Sequence, residues 1–215
     1  MMDCYTWHYE SPLGRMTMTG DGNALTGLWF DGQEHFPVVL PPERWMPVFE
    51  ETVRWLDLYF GGDIPDFTPV MDLKGTAFRK TVWEILLTIP YGQTTTYGKI
   101  AERIAGKTGS GRMSAQAVGG AVGHNSISLI IPCHRVVGSD GSLTGYAGGK
   151  DKKARLLQLE QTVKKRRRKT MSEREKDYRE KEWSDEIPDE EDSLPEPYEE
   201  TYRDGSAKNE CWADQ

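Results

Sequence analysis

Cysteine is scarce in this 215-residue chain: its three copies, Cys4, Cys133 and Cys211, lie far apart. None stands in a CxxC spacing, so neither a disulfide framework nor a zinc ribbon is encoded, and reduced thiols in a cytosolic setting are expected. Cys4 and His8 have no second ligand pair at coordination spacing, and a zinc site needs about four ligands, so no metal is expected. Apolar runs of spanning length are missing as well. The first residues, Met1-Met2-Asp3-Cys4-Tyr5-Thr6-Trp7-His8, lack the basic and apolar regions of a signal peptide. A soluble, cytoplasmic protein without a membrane partner is the expectation.

Net charge is also not what it first suggests. The total of −7 argues against a polyanionic partner, yet from Gln161 onward twelve Lys and Arg stand against seventeen Asp and Glu, so the tail holds −5 and residues 1–160 only −2. Within that tail Lys164-Lys165-Arg166-Arg167-Arg168-Lys169 is wholly basic, and the stretch from Glu182 to Glu200 carries ten acidic residues and no Lys or Arg. The basic run is either a non-specific DNA tether or a partner for the acidic block.

What is present begins with short strands. Tyr5–Tyr9, Gly14–Thr19 and Leu25–Phe30 are separated by Ser11-Pro12-Leu13-Gly14 and Asp21-Gly22-Asn23, which predict a small antiparallel sheet. Phe49–Phe60 then has helical apolar spacing and stops at Gly61-Gly62-Asp63. Residues 63–72, with two prolines and little periodicity, read as a linker. Beyond it, Thr76–Thr88 is amphipathic, Thr94-Thr95-Thr96 caps Tyr97–Ala105, Gly106–Arg112 turns, and Ser114 caps Ala115–Gly123. Two short helices joined by a Gly-rich turn have the form of a helix-turn-helix.

The helix Ala115–Gly123 contains adjacent Gly119 and Gly120. Each costs roughly 1 kcal/mol relative to Ala, so close approach selects them rather than helix stability. A nearly side-chain-free helix fits a narrow space such as the DNA minor groove, about 6 Å wide, or the surface of another helix. Cys133-His134, at the end of an apolar run, sets a potential thiolate beside an imidazole able to take its proton.

Taken in order, these motifs resemble the O6-alkylguanine-DNA alkyltransferases, the methylated-DNA-protein-cysteine methyltransferases. The likeness runs from about residue 5 to Glu160 through Ser11-Pro12-Leu13-Gly14, Gly27-Leu28-Trp29-Phe30, Ile89-Pro90-Tyr91-Gly92 with Tyr97, Ala117-Val118-Gly119-Gly120-Ala121, Asn125, Pro132-Cys133-His134-Arg135-Val136-Val137 and Gly145-Tyr146-Ala147-Gly148-Gly149. So many ordered matches are more specific than any one motif. The resemblance implies an α/β plus α fold: a ribonuclease-H-like sheet-and-helix domain, assigned to residues 1–70, then a winged-helix-like helix-turn-helix catalytic domain, 73–162. Composition makes 163–215 a charged, disordered tail, unable to bury enough apolar area to order itself, with a helical continuation open over 172–183.

The resemblance also implies a reaction without a cofactor, in which an alkylated guanine is flipped from double-stranded DNA and its O6-alkyl group passes once to Cys133. His134 then takes the thiol proton through a bridging water, and Glu160 holds the other imidazole nitrogen. Tyr97 donates to N3 of the flipped base. The Ala147 N–H faces O6, Tyr146 shares that loop, and the carbonyls of Cys133 and Val136 accept from the guanine amine. Asn125 ties the helix-turn-helix to the active-site loop, a structural role, and Arg135 is expected to be an ion-pair partner. Ala115, Ala117, Gly119 and Gly120 present a flat face to DNA, with Arg112 and Lys107 near phosphates. The partner is duplex DNA containing O6-alkylguanine, and the protein is expected to act as a monomer.

Two departures stand out. The best-known relatives have an arginine finger where this chain has Gln116, and the extension after Glu160 lies outside the likeness. The competing functions are an alkylated-DNA sensor that does not repair, whose representatives lack the acceptor cysteine that Cys133 supplies here, and a Cys-His hydrolase, for which no oxyanion-hole feature is visible.

Overall fold

The computed structural model describes residues 4–108 and 112–184, and residues 1–173 form one compact unit. The turn expected over 106–112 falls partly, and Cys211 wholly, outside the described residues.

Three antiparallel strands open the chain in the order β1 (Tyr5–Ser11), β2 (Gly14–Gly20) and β3 (Leu25–Phe30). Ser11 and Gly14 pair across the first turn, where Gly14 takes φ 108°. Asp21 closes the second by accepting from the Asn23 and Ala24 amides at 3.1 and 3.0 Å, the usual reason for Asp at a turn. Alternation puts Met16 and Met18 opposite Phe30 and Leu28 on one buried face. Helix α1 (Pro47–Gly61) brings Val48, Phe49, Leu56 and Tyr59 to the same core, and Gly62 ends it in the left-handed region at φ 86°.

Residues 62–76 return along β3: the Leu25 N–H donates to Val70 O at 2.8 Å. Next comes α2 (Ala77–Leu87), capped by the Thr76 side chain, and its Trp83 indole donates to Ala121 O at 2.9 Å. A two-residue strand, β4 (Thr95–Thr96), leads into α3 (Tyr97–Thr108), whose Lys99 amide is capped by the Thr96 hydroxyl. Helix α4 (Ala115–Gly123) is capped by Ser114. After a 3-10 turn at Cys133–Arg135, β5 (Val136–Val137) pairs in parallel with β4, and α5 runs from Lys150 to Ser184.

The two halves share one hydrophobic core. They are also bonded through the backbone: Leu28 N–H donates to Ser126 O at 2.8 Å and Ser128 N–H to Leu28 O at 2.7 Å, so the free edge of β3 holds the segment leading to Cys133. Helix α5 carries on to Ser184, past residue 163 where the charged tail was expected to begin and through the stretch 172–183. Among the described residues no helix is long and apolar enough to cross a membrane.

Candidate active site

Cys133 lies at the mouth of the 3-10 turn with only 5% of its surface exposed. The turn before it is tight: Leu129 is left-handed at φ 70°, and Cys133 N–H donates to Ile131 O at 2.7 Å. Asn125 organises this segment. Its Nδ2 donates to Ile127 O at 3.1 Å, Ile131 O at 2.9 Å and the Cys133 sulfur at 3.1 Å, while its Oδ1 accepts from Ile127 N–H at 3.0 Å. Burial pushes the Cys133 thiol pKa up, against the opposing effects of the Asn125 hydrogen bond and the positive charge of Lys153.

His134 is wholly buried, and its Nε2 lies 2.8 Å from Glu160 Oε1. Burial pushes the imidazole pKa down, with Glu160 pulling the other way, so the ring rests neutral at physiological pH. Burial alone would raise the Glu160 pKa, yet the hydrogen bonds and charges of His134 and Arg135 hold it at about 2. An ionised carboxylate only accepts, so Nε2 carries the proton and Nδ1 is left with a free lone pair. That Nδ1 is buried and has no partner, which leaves the imidazole set up as a base on the side away from Glu160.

Four further groups fix the carboxylate. Arg135 Nε and Nη2 donate to it at 2.9–3.1 Å, forming the ion pair expected of Arg135, and Nη1 donates to Ile89 O at 2.6 Å. Tyr59 Oη–H donates to Oε1 at 3.0 Å and Gly92 N–H to Oε2 at 2.8 Å. The Ile89-Pro90-Tyr91-Gly92 turn and helix α1 thus both help to hold the Glu160–Arg135 pair.

Beside Cys133 lies the loop 144–149. Tyr97 Oη–H donates to Thr144 O at 2.9 Å, so its phenol is engaged in this state. Gly145 sits at φ 72°, where an added Cβ would fall 2.5 Å from that Tyr97 oxygen; the motif glycine is required twice over. Tyr146 is buried, its hydroxyl lacks a partner, and its ring meets that of His134 edge-on at 6.4 Å. Ala147 is half-buried and its carbonyl accepts from Glu34 N–H at 3.1 Å. Val136 O accepts from the Lys153 ammonium, which also reaches Thr144 O at 2.9 Å.

Helix α4 presents Ala115, Gln116, Ala117 and Gly120 to solvent, with Gly119 half-buried and Val118, Ala121 and Val122 in the core. A Cβ on Gly120 would meet nothing within 4 Å, and one on Gly119 only the Tyr97 ring at 3.8 Å. Packing against a neighbouring helix therefore does not demand these glycines. Lys107, in the last turn of α3, and Arg112, just before α4, are exposed, and Arg112 and Ala115 line an open groove between α3 and α4.

Sequence reasoning misses Lys153 and Tyr59 and gives Asn125 no contact with the sulfur. A signal for Lys153 exists: residues 153, 156, 160 and 163 form the buried stripe of α5, and a lysine and a glutamate on such a stripe demand partners. Among the described residues no group of three or more His, Cys, Asp and Glu side chains stands ready for a metal.

Two family models match the chain: "6-O-methylguanine DNA methyltransferase, ribonuclease-like domain" over residues 4–71 and "6-O-methylguanine DNA methyltransferase, DNA binding domain" over 77–162. A methylated-DNA–protein-cysteine methyltransferase of Mycobacterium tuberculosis is 45% identical over 161 residues, covering 72% of this chain and 93% of the relative. One from Haemophilus influenzae is 39% identical, covering 74% and 88%. The crystal structure of Mycobacterium tuberculosis OGT in complex with DNA superposes with a TM-score of 0.66 at 42% identity, over 74% of this chain and 94% of that one.

Proposed function

Because the chain belongs to the 6-O-methylguanine DNA methyltransferase family, we infer that it repairs DNA by moving the alkyl group of O6-methylguanine to its own Cys133. The observation that carries the assignment to Cys133 is the buried array in which Asn125 donates to the sulfur and His134, oriented by Glu160, keeps an unpartnered nitrogen.

The residues divide the work as follows. His134 Nδ1 takes the thiol proton, across a water where the gap requires one, and the imidazolium is stabilised by Glu160. The thiolate, held by the Asn125 amide and the nearby Lys153 charge, attacks the alkyl carbon; an S–C bond forms as the C–O6 bond breaks. The electron pair leaves on the guanine O6, where the Ala147 N–H and, at N3, Tyr97 meet the developing charge. For the latter, the Tyr97 phenol gives up Thr144 O. Val136 O has a second lone pair beside the one used by Lys153, so it remains able to accept from the guanine amine, together with the Cys133 carbonyl. Tyr146 walls the pocket. No group in the array regenerates the thiol from a thioether, so each chain reacts once.

DNA meets the flat face of α4 through Ala115, Ala117, Gly119 and Gly120, with Arg112 and Lys107 near phosphates and Gln116 aimed at the void left by the flipped base. Room for a Cβ at Gly120 supports an external reason for its smallness. Residues 1–70 and 73–162 then act as scaffold and reactive half, with the segment from 163 outside the chemistry, in a cytoplasmic monomer.

Intact mass after incubation with a duplex containing O6-methylguanine tests the reading. One CH2 is added, once, at Cys133, and Cys133→Ala abolishes transfer while still binding DNA. Repeated turnover by one molecule, or binding by the parent without any mass gain, would reject repair, the second outcome in favour of a sensor.

A further inference from the structure

The loop that follows β3 joins two parts of the candidate site distant in sequence. His35 and His124 stack with ring centroids 4.1 Å apart and planes 21° from parallel. His124 is the C-cap of α4, with its Nδ1 2.7 Å from Gly120 O. His35 sits left-handed at φ 62°; it and Leu129 are the only non-glycine residues with positive φ among the described ones, and Leu129 lies in the turn before Cys133. Unfavourable backbone of this kind persists where its surroundings hold it, and it gathers at functional sites.

The residues on either side of His35 are fixed as well. Glu34 N–H donates to Ala147 O at 3.1 Å. Gln33 is buried, and its Oε1 accepts from Phe30 N–H at 3.0 Å and from the Ser128 hydroxyl at 3.2 Å. One tetrapeptide segment therefore touches the end of the DNA-facing helix, the loop that lines the guanine site, and the turn segment leading to Cys133.

We propose that residues 33–36 are a clasp coupling duplex engagement at α4 to the placement of the 145–149 loop, with His35 and His124 as positioning residues. The clasp rests on the alkyl-transfer reading and adds a regulation of that same site by DNA. A duplex pressed on the Ala115–Gly120 face bears on α4. The His124 ring moves with the helix end, the stacked His35 follows, and the bond from Glu34 N–H to Ala147 O carries the shift to the residue whose own N–H meets the guanine O6. Both sites bias one bonded element, which is the physical requirement for coupling.

The test uses the full chain reacting with free O6-benzylguanine, followed by intact mass, with and without saturating undamaged duplex. The parent reacts at least about fivefold faster with duplex present, the lower edge of usual coupling between sites. In His35→Ala and in His124→Ala the ratio falls to about one while the rate without duplex stays within about twofold of the parent, and the double variant is no worse than either single, since both remove one contact. His35→Gly, which relaxes the left-handed backbone and deletes only the ring, loses the ratio in the same way and serves if His35→Ala does not fold. A parental ratio in these variants overturns the clasp, and so does a parent indifferent to duplex. Recovery of the ratio at higher duplex concentration also overturns it, because it marks a change in affinity alone. A parent that never labels would overturn the alkyl-transfer reading and the clasp with it.

Discussion

The side-chain amide of Asn125 donates to the sulfur of Cys133 across 3.1 Å while the same residue braces Ile127 and Ile131. Asn125→Asp keeps only the acceptor for Ile127 N–H: one Nδ2 supplies the bonds to the sulfur, Ile127 O and Ile131 O, so all three are lost together and negative charge is set beside the sulfur, and thermal unfolding measures the bracing apart from the rate. A hydrogen bond to a charged group is worth about 1.5–3 kcal/mol, so transfer slows roughly ten- to hundredfold. Thiol titration by an alkylating reagent should show the Cys133 pKa raised further in the variant; an unmoved thiol together with an unmoved rate would leave Asn125 a purely structural role.

The second expectation concerns pH. His134 must be neutral to act as a base, and burial lowers its pKa below the ordinary 6.5, so the acid limb of the parental rate lies below that value. Glu160 is the group that pulls the imidazole pKa upward. Glu160→Gln therefore weakens the base and slows transfer at neutral pH, as His134→Ala does by removing it. Both recover in part only as pH rises beyond the ordinary thiol range near about 8.5, since burial holds the Cys133 thiol above it and the thiolate forms without a base only there. Rates for both variants equal to the parent's at every pH would dismiss the relay.

Lys153 supports a third prediction. Its ammonium, wholly buried, holds Val136 O and Thr144 O, and burial lowers its pKa to about 8. Lys153→Met keeps the length of the side chain but leaves both carbonyls without this donor and removes the charge that favours the thiolate. The expected loss with a free alkylguanine base is on the order of tenfold at neutral pH, the scale of one charge-assisted hydrogen bond. Thermal unfolding checks that the loss is not one of folding, and a folded variant with parental rate would remove Lys153 from the site.

Turn chemistry and caps make the scaffold legible in the sequence: Ser11–Gly14, Asp21–Asn23, Thr76, Thr96 and Ser114 each mark a boundary that the structure places within two residues of its expected position. Cys133, His134 and Glu160 are named by motif. The contacts that couple them are less visible, because they join residues far apart: Tyr59 reaches Glu160 across 101 positions and Glu34 meets Ala147 through backbone atoms that carry no sequence signal. The pairing of β4 with β5 is only two residues long on each side, too short for periodicity to reveal. Residues 163–184 show a different mismatch. Their composition opposes burial, but Lys, Arg and Glu are good helix formers, and pairs such as Lys169–Glu173 at i,i+4 suit an exposed helix.

That extension gives the fourth prediction. Val163 is buried and the Lys164 ammonium donates to Gly92 O at 3.2 Å, whereas residues 165–174 are exposed. Deleting residues 165–215 should leave the rate with a free alkylguanine base within about twofold of the parent, because no active-site residue lies in the deleted stretch and its described part, 165–174, is exposed. Duplex binding then reports on the basic run. A retained dependence on salt fits pairing of Lys164–Lys169 with the acidic block, and a shallower one assigns the run to phosphates. Collapse of the free-base reaction would show that the extension supports the fold.

Gln116 carries the last prediction. It is exposed at the start of α4, beside Ala115 and Ala117 and on the face that leaves room at Gly120. If its amide fills the void after flipping and bonds the orphaned cytosine, it acts only when there is a duplex to hold open. Gln116→Ala then slows repair of duplex O6-methylguanine by roughly the few kcal/mol scale of an unstacked base at most, and more realistically about tenfold, while leaving free O6-benzylguanine unaffected. Gln116→Arg keeps or improves duplex repair, since a longer, charged plug retains hydrogen bonding and adds attraction to the backbone. The comparison is made below saturation with duplex, where a change in flipping is not hidden by tight binding. Equal duplex rates for Gln116→Ala and the parent would make Gln116 a solvated helix position and leave the void to another residue.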